Sequence, residues 1–425
     1  MNLHAGRTLA RRTLLAGAAV AGAGVAWGSA GEAAAAAGKP PVTQRTVDAE
    51  VARLERGLIA LRRGIHRHPE PPGQERRTAG VVARELRAAG LAVTTGVGGH
   101  GVVGVLRGAR PGRTVAYRAD MDAVPPQDII GGGPATAHLC GHDVHTTVGI
   151  GVARVLARLR QQLRGTVVFL FQPAEESLSG ARAMIDAGVL ERTGAEEIHA
   201  LHCGPFPVGR FATTAGYGLP GQDKAEVTLP GPDAPEAAAR LAAEISALAT
   251  VAQPQTPDDL ERLVADAQVP GGPLARFVAV RASARDDTVS VSYRCWPEGR
   301  YREVRADIRR LAAPYAVDFP AEPFPAVVCP ERDGRGLARH LRRSVGRGAV
   351  AELRAAFPPF SGEDFALYLD RVPGTYTFLG VRTPGAPVTT AYPHFPDFAP
   401  DERAIGLGVR AMAGWITERT LPGRW

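Results

Sequence analysis

The stretch Thr166-Val167-Val168-Phe169-Leu170-Phe171-Gln172-Pro173-Ala174-Glu175-Glu176 decides the fold class. Residues 166–171 are a nearly continuous apolar run, rich in β-branched and aromatic side chains and bounded by Gly165 and Pro173. Such a run reads as a strand buried on both faces, as in a parallel sheet with helices packed on each side. Two acids follow it, and in open α/β sheets ligands bind beyond the carboxyl ends of the strands.

Outward from this strand, residues 146–163 read as an apolar helix, 180–188 as a short helix and 197–201 as a strand. Val51, Leu54, Leu58 and Leu61 fall at helical spacing within residues 46–63, and a second helix over 76–90 ends at Gly90. Residues 91–95, 101–107 and 114–118 are short β-rich runs between Gly and Pro. The alternation predicts an α/β fold with a mixed, largely parallel sheet flanked by helices. From Gly218 the texture changes. Strands at 224–229, 277–284, 288–293 and 315–319, with helices at 233–250 and 299–311, give the order β-α-β-β-α-β of a small α+β unit. Past Pro325 the first texture resumes, with helices at 336–346, 362–369 and 401–419 and a strand at 375–380. A chain of 425 residues also exceeds the roughly 250–300 that one core sustains. Nested domains are therefore expected: 45–216 joined to 327–425, with 217–326 inserted.

Residues 1–38 stand apart. Arg11-Arg12 precedes an apolar run from Leu14 to Trp27 and a small-residue stretch with Ala-x-Ala cleavage options, the pattern of a signal peptide. The paired arginines before a weakly hydrophobic core resemble a twin-arginine signal. The expectation is an exported protein, secreted or in the cell envelope. No stable membrane span should remain after cleavage, since the run falls short of the about 20 residues a spanning helix needs. Removing the leader takes away three Arg and one Glu, so the formal charge of +7 falls to +5. What remains is an arginine bias: Lys39 and Lys224 are the only lysines. The arginines are scattered among acids and aromatics are 6% of the chain, so no nucleic-acid partner is expected. Four cysteines are too few for a disulfide scaffold at this length, although Cys295 and Cys329 could pair in an exported protein.

The polar groups that carry chemistry follow predicted strand ends. Asp120 and Asp122 come after residues 114–118, Glu175 and Glu176 after the central strand, and His202 after 197–201. Cys140, His142, Asp143 and His145 cluster before the apolar helix, and His394 lies in a Pro- and aromatic-rich loop. Together Cys140, His142, Glu176, His202 and His394 offer thiolate, imidazole and carboxylate, the donors that hold zinc and its first-row neighbours. Five ligands exceed one tetrahedral ion, so two ions sharing a bridge are expected. Glu175, beside a ligand but free itself, is the candidate general base.

The motifs occur in a recognisable order: His66-Arg67-His68-Pro69-Glu70, Arg118-Ala119-Asp120-Met121-Asp122-Ala123-Val124-Pro125, Cys140-Gly141-His142-Asp143-Val144-His145-Thr146, Phe171-Gln172-Pro173-Ala174-Glu175-Glu176, His202, Ser361-Gly362-Glu363-Asp364-Phe365 and His394. In this the chain resembles the cocatalytic metallopeptidase family of carboxypeptidase G and aminoacylase. It is most similar to the branch of N-acyl-amino-acid amidohydrolases that includes hippurate hydrolases and auxin-conjugate hydrolases. The resemblance implies two divalent ions (Zn, Mn, Ni or Co) on Cys140, His142, Glu176, His202 and His394. It also implies Glu175 as the base, Asp120, Asp122, Asp143 and His145 as outer groups that orient the ligands, and a small acylated amino acid or related amide as substrate. A dipeptidase or carboxypeptidase of the same family, or a relative that binds metal without hydrolysis, are the alternatives. Family members often dimerise through the insert, so a homodimer is a further expectation. The insert departs from the family: Leu229-Pro230-Gly231-Pro232-Asp233-Ala234-Pro235-Glu236 lacks the usual histidine, and no His occurs between His202 and His340. Arg281, Arg285 and Arg294 are candidates to replace it.

Overall fold

The computed structural model describes residues 41–423; the expected export leader lies outside the described residues. In chain order the first elements are α1 (Gln44–His66), α2 (Arg76–Ala88), β1 (Ala92–Val97), β2 (Gly101–Arg107), β3 (Arg110–Asp120), α3 (His142–Arg158) and β4 (Arg164–Gln172). Then come α4 (Gly180–Asp186), α5 (Val189–Thr193), β5 (Glu197–Pro207), β6 (Phe211–Thr214) and β7 (Gly218–Leu219). The insert holds β8 (Asp223–Thr228), α6 (Ala234–Ser246), α7 (Pro257–Asp266), β9 (Phe277–Arg285), β10 (Thr288–Trp296) and α8 (Tyr301–Ala312). The chain returns through β11 (Val327–Val328), α9 (Glu331–Ser344), β12 (Val350–Leu353), α10 (Ala366–Leu369), β13 (Gly374–Arg382) and α11 (Arg403–Arg419).

Eight strands form one sheet in the order β1-β2-β4-β3-β5-β13-β6-β12. Its centre is parallel, from β4 through β3 and β5 to β13, and antiparallel pairs flank that centre. The central apolar run is explained by its two faces. Val167, Phe169 and Phe171 of β4 pack with α1, α3 and α11, while Val168 and Leu170 pack with α4 and α5. Every second residue thus enters a different core, so no polar face remains.

The insert has its own three-stranded sheet, β8-β10-β9, covered by α6 and α8. The expected strand at 315–319 shrinks to a single bridge between Glu226 and Asp318. The helix expected at 362–369 is only the four residues of α10, because Ser361–Phe365 instead runs as a loop that turns Glu363 and Asp364 inward. The pattern reading did not reach the short elements α5, β6, β7, β11 and β12, nor α7, which sits in the insert by sequence. Cys295 and Cys329 are both free and buried, Cys295 in the core of the small sheet and Cys329 against the large one, so the pairing that the sequence left open does not occur. Among the described residues no helix is long and apolar enough to cross a membrane.

Candidate metal centre

The site lies where β3 and β4 end and beside β5. Asp120 closes β3, and Gln172 closes β4 ahead of a turn carrying Glu175 and Glu176. Gly141 takes φ 91°, a left-handed conformation, and a Cβ there would fall 2.6 Å from Cys203 Sγ. Only glycine fits, and it joins Cys140 to the start of α3. α3 therefore begins at His142, four residues before the apolar reading placed it, so His142, Asp143 and His145 occupy its first turns. His202 lies inside β5, which runs on to Pro207.

Three imidazoles share one arrangement. His142 Nδ1 lies 3.0 Å from the Asp122 carbonyl, His202 Nδ1 2.7 Å from the Cys203 carbonyl, and His394 Nδ1 2.9 Å from the Asp128 carbonyl. A carbonyl only accepts, so each Nδ1 carries a proton and donates, and Nε2 is the nitrogen turned to the cleft, where a cation can take the place of a second proton. His202 Nε2 is 3.5 Å from Cys140 Sγ, and His394 Nε2 is 3.2 Å from Glu176 Oε2. His142 Nε2 and Glu176 Oε1 are 3.7 Å apart, and both are buried without a hydrogen-bond partner. Buried polar atoms are rarely left so. A cation satisfies both, and the donor set of thiol, carboxylate and imidazoles suits zinc-like ions. Cys140-His142-His202 and Cys140-Glu176-His394 are each close enough to hold an ion, and they share Cys140.

The outer groups divide. Asp122 Oδ1 faces His142 Nδ1 at 3.2 Å and its Oδ2 accepts from the Glu176 amide at 2.9 Å, so it orients two ligand candidates at once. Asp120 holds His145 Nδ1 at 2.6 Å, and His145 Nε2 accepts the Cys203 amide at 2.7 Å, fixing the backbone beside His202. Asp143 differs from the expectation. Its carboxylate takes Arg62 Nε at 2.7 Å, His66 Nδ1 at 2.8 Å and the Val144 amide, and so ties α3 to α1 instead of orienting a ligand.

Sequence reading missed the hub of the site. Arg118, 1% exposed, donates to Gln172 (2.9 Å), Asp120 (2.5 Å), Glu363 (2.9 Å) and Asp364 (3.0 Å). Tyr376 donates to Glu363, and Gln172 to Asp364. Glu175, Glu363 and Asp364 lie within reach of one another. Arg118 and the Glu363-Asp364 pair stood in quoted motifs, but only the fold brings them together. Of the three arginines that are candidates to replace the missing insert histidine, Arg294 on β10 is the one that feels the charge of Glu175, which partly offsets the lowering of its pKa by burial. Its guanidinium abuts Gly362, and Nη1 is buried without a partner. Arg281 and Arg285 stand on β9, away from its buried start.

The electrostatics are those of a cation pocket. Burial would lower His142, but Asp120, Asp122 and Glu176 outweigh it and push its pKa up to about 10. Burial, with the charges of Glu363, Glu176 and Asp364, holds the Glu175 carboxyl well above the usual range. Burial and the nearby carboxylates also raise the Cys140 thiol, so a thiolate there requires positive charge beside it.

Residues 116–418 match the family model for peptidase family M20/M25/M40. A probable hydrolase of Synechocystis is 32% identical over 385 residues, covering 84% of this chain and 95% of that protein. The N-acetylcysteine deacetylase of Bacillus subtilis is 30% identical over 378 residues, covering 84% and 95%. The structure of a dinuclear metal-binding peptidase of this family from Bacillus subtilis aligns with a TM-score of 0.64 at 27% identity, covering 86% of this chain and 98% of that one. The chain belongs to peptidase family M20/M25/M40, and with it to the hydrolases of amide bonds.

Proposed function

We propose that the chain hydrolyses the amide bond of N-acyl amino acids or similar conjugates, using two divalent ions (Zn, Mn, Ni or Co) held by Cys140, His142, Glu176, His202 and His394. The observation that carries this is the shared arrangement of His142, His202 and His394, each with Nδ1 tied to a carbonyl and Nε2 turned toward Cys140 or Glu176. When bound, such ions polarise the scissile carbonyl and make water nucleophilic near neutral pH. The chain's own groups do the rest. Glu175, beside the Nε2 side of His142, accepts the water proton and passes it to the leaving amine. Arg294, a buried cation with an unpaired donor, receives the carboxylate of the amino-acid half. Asp122 and Asp120 keep the ligand side chains in register.

The test is release of free amino acid from a panel of N-acyl amino acids by wild type and Glu175→Gln, with metal content measured on both. Metal without Glu175-dependent turnover would overturn the hydrolase reading. Preference for substrates with a free α-amino group would favour a dipeptidase. Arg294→Lys should raise KM for carboxylate-bearing substrates more than it lowers kcat. Two further readings belong to the same proposal. Residues 217–326 act as a lid on the cleft, with a homodimer through that insert testable by solution mass. The Arg11-Arg12 leader exports the folded chain, and Arg11→Lys with Arg12→Lys should retain it in the cytoplasm.

A further inference from the structure

We propose that α7, although it belongs to the insert by sequence, is a clamp that positions the His394 loop and so governs retention of the ion on the Cys140-Glu176-His394 side. The inference rests on the metal reading above.

α7 opens with a full capping box, Thr256 with Asp259, and Pro257 in its first turn, so it is a specified helix and not a stray turn. Leu260, Leu263, Val264 and Ala267 form one apolar stripe at spacings of three and four. That stripe does not join the core of the small sheet, where α6 and α8 pack. It joins the core of the large domain, in one cluster with Val388, Tyr392, Phe357 and Phe378. α7 packs against the short turn Val388–Thr390, six residues or fewer before His394. Two polar ties add to this: the Arg354 amide donates to the Ala267 carbonyl at 2.7 Å, and Arg382 pairs with Glu261.

His394 needs such support. It adopts φ 69°, the left-handed region that is strained for a non-glycine residue and persists only where the surroundings dictate it. Its amide donates to the Leu139 carbonyl at 2.8 Å, and its carbonyl accepts from Ile130 at 2.9 Å. On either side, Tyr392 and Phe395 stand edge to face with ring centres 5.8 Å apart, both packed in the cluster that α7 completes. Removing α7's stripe unloads the Val388–Thr390 turn that leads into His394, the segment α7 packs against.

The experiment dialyses the holoprotein against graded chelator and measures residual metal per chain, with circular dichroism as the check on folding. In Leu260→Ala/Leu263→Ala, one of the two ions should be lost at about tenfold to hundredfold lower chelator, the range for removing the support of a ligand. The other ion should stay at the wild-type level. Glu261→Ala, a surface change, should shift the same ion in the same direction by less. Retention of both ions at wild-type levels in a folded double variant would overturn the clamp. If the double variant does not fold, an unchanged profile for Glu261→Ala and Leu263→Val overturns it instead. A wild type that carries no metal at all would strike the metal reading, not the clamp alone.

Discussion

The start and the middle of β5 bury similar chemistry and use it differently. Near its start, Glu197 and His199 meet Arg419, Asp333 and Trp415. Arg419 grips Glu197 with two contacts of 2.6 Å and reaches Asp333 at 2.9 Å. The Trp415 indole N–H lies 3.3 Å from His199 Nδ1, which therefore accepts, so the ring proton sits on Nε2, 3.4 Å from Glu197. Three residues on, His202 holds the opposite tautomer, with Nδ1 donating to a carbonyl and Nε2 left as a lone pair. Burial and charge are common to both places, and each holds an imidazole Nε2 without a hydrogen bond, on His199 and on His142, so none of these marks function. What separates them is how the acids are matched: Glu197 and Asp333 face the guanidinium of Arg419, and Glu197 that of Arg113 as well, while among the described residues the carboxylate of Glu176 faces only the imidazoles of His142 and His394, with its Oε1 unpaired.

This contrast can be broken in graded steps. Glu175→Gln should lower turnover by about 10²–10⁴, the usual worth of a general base, while metal content stays at wild type. Arg419→Met should do the reverse. Asp333 then loses Arg419 and Glu197 keeps only Arg113 and His199, a break in a buried network that costs about 3–5 kcal/mol of stability by denaturant melts, with kcat unchanged below the transition. Asp122→Ala should weaken metal retention by about tenfold to hundredfold, whereas Asp143→Asn, which touches α1 and no ligand, should leave it within error. The acid response is the smallest effect. Burial raises Glu197, but His199 and Arg419 outweigh it and depress its pKa to about 2. A depressed carboxylate stabilises above its unfolded value and loses that contribution as pH falls toward its folded one. Stability should therefore drop between about pH 4.5 and 2, and Glu197→Gln should flatten that slope.

The central strand was legible because it is written locally as an apolar run, and so were the Cys-Gly-His triplet and the Glu pair after a strand, which the fold brings close together. The hub was not. Arg118 reads as one more arginine until Glu363 and Asp364, some 245 residues later, close on it. Asp143 was misread for the converse reason: its motif is shared with the ligands, but the first turn of α3 points it at Arg62. α7 carries local helix signals, Thr256-Pro257 with Asp259 and a stripe at helical spacing, but the core that its stripe serves belongs to a different stretch of chain, so its place in the fold was not legible.

The most direct test is a metal titration of the chelator-stripped chain with Mn²⁺, run on wild type and Cys140→Ser. The account predicts two equivalents bound by wild type and weakened binding of both in Cys140→Ser, since Cys140 belongs to both ligand groups. A wild type that binds no ion, or a Cys140→Ser variant that binds both as tightly, would contradict it.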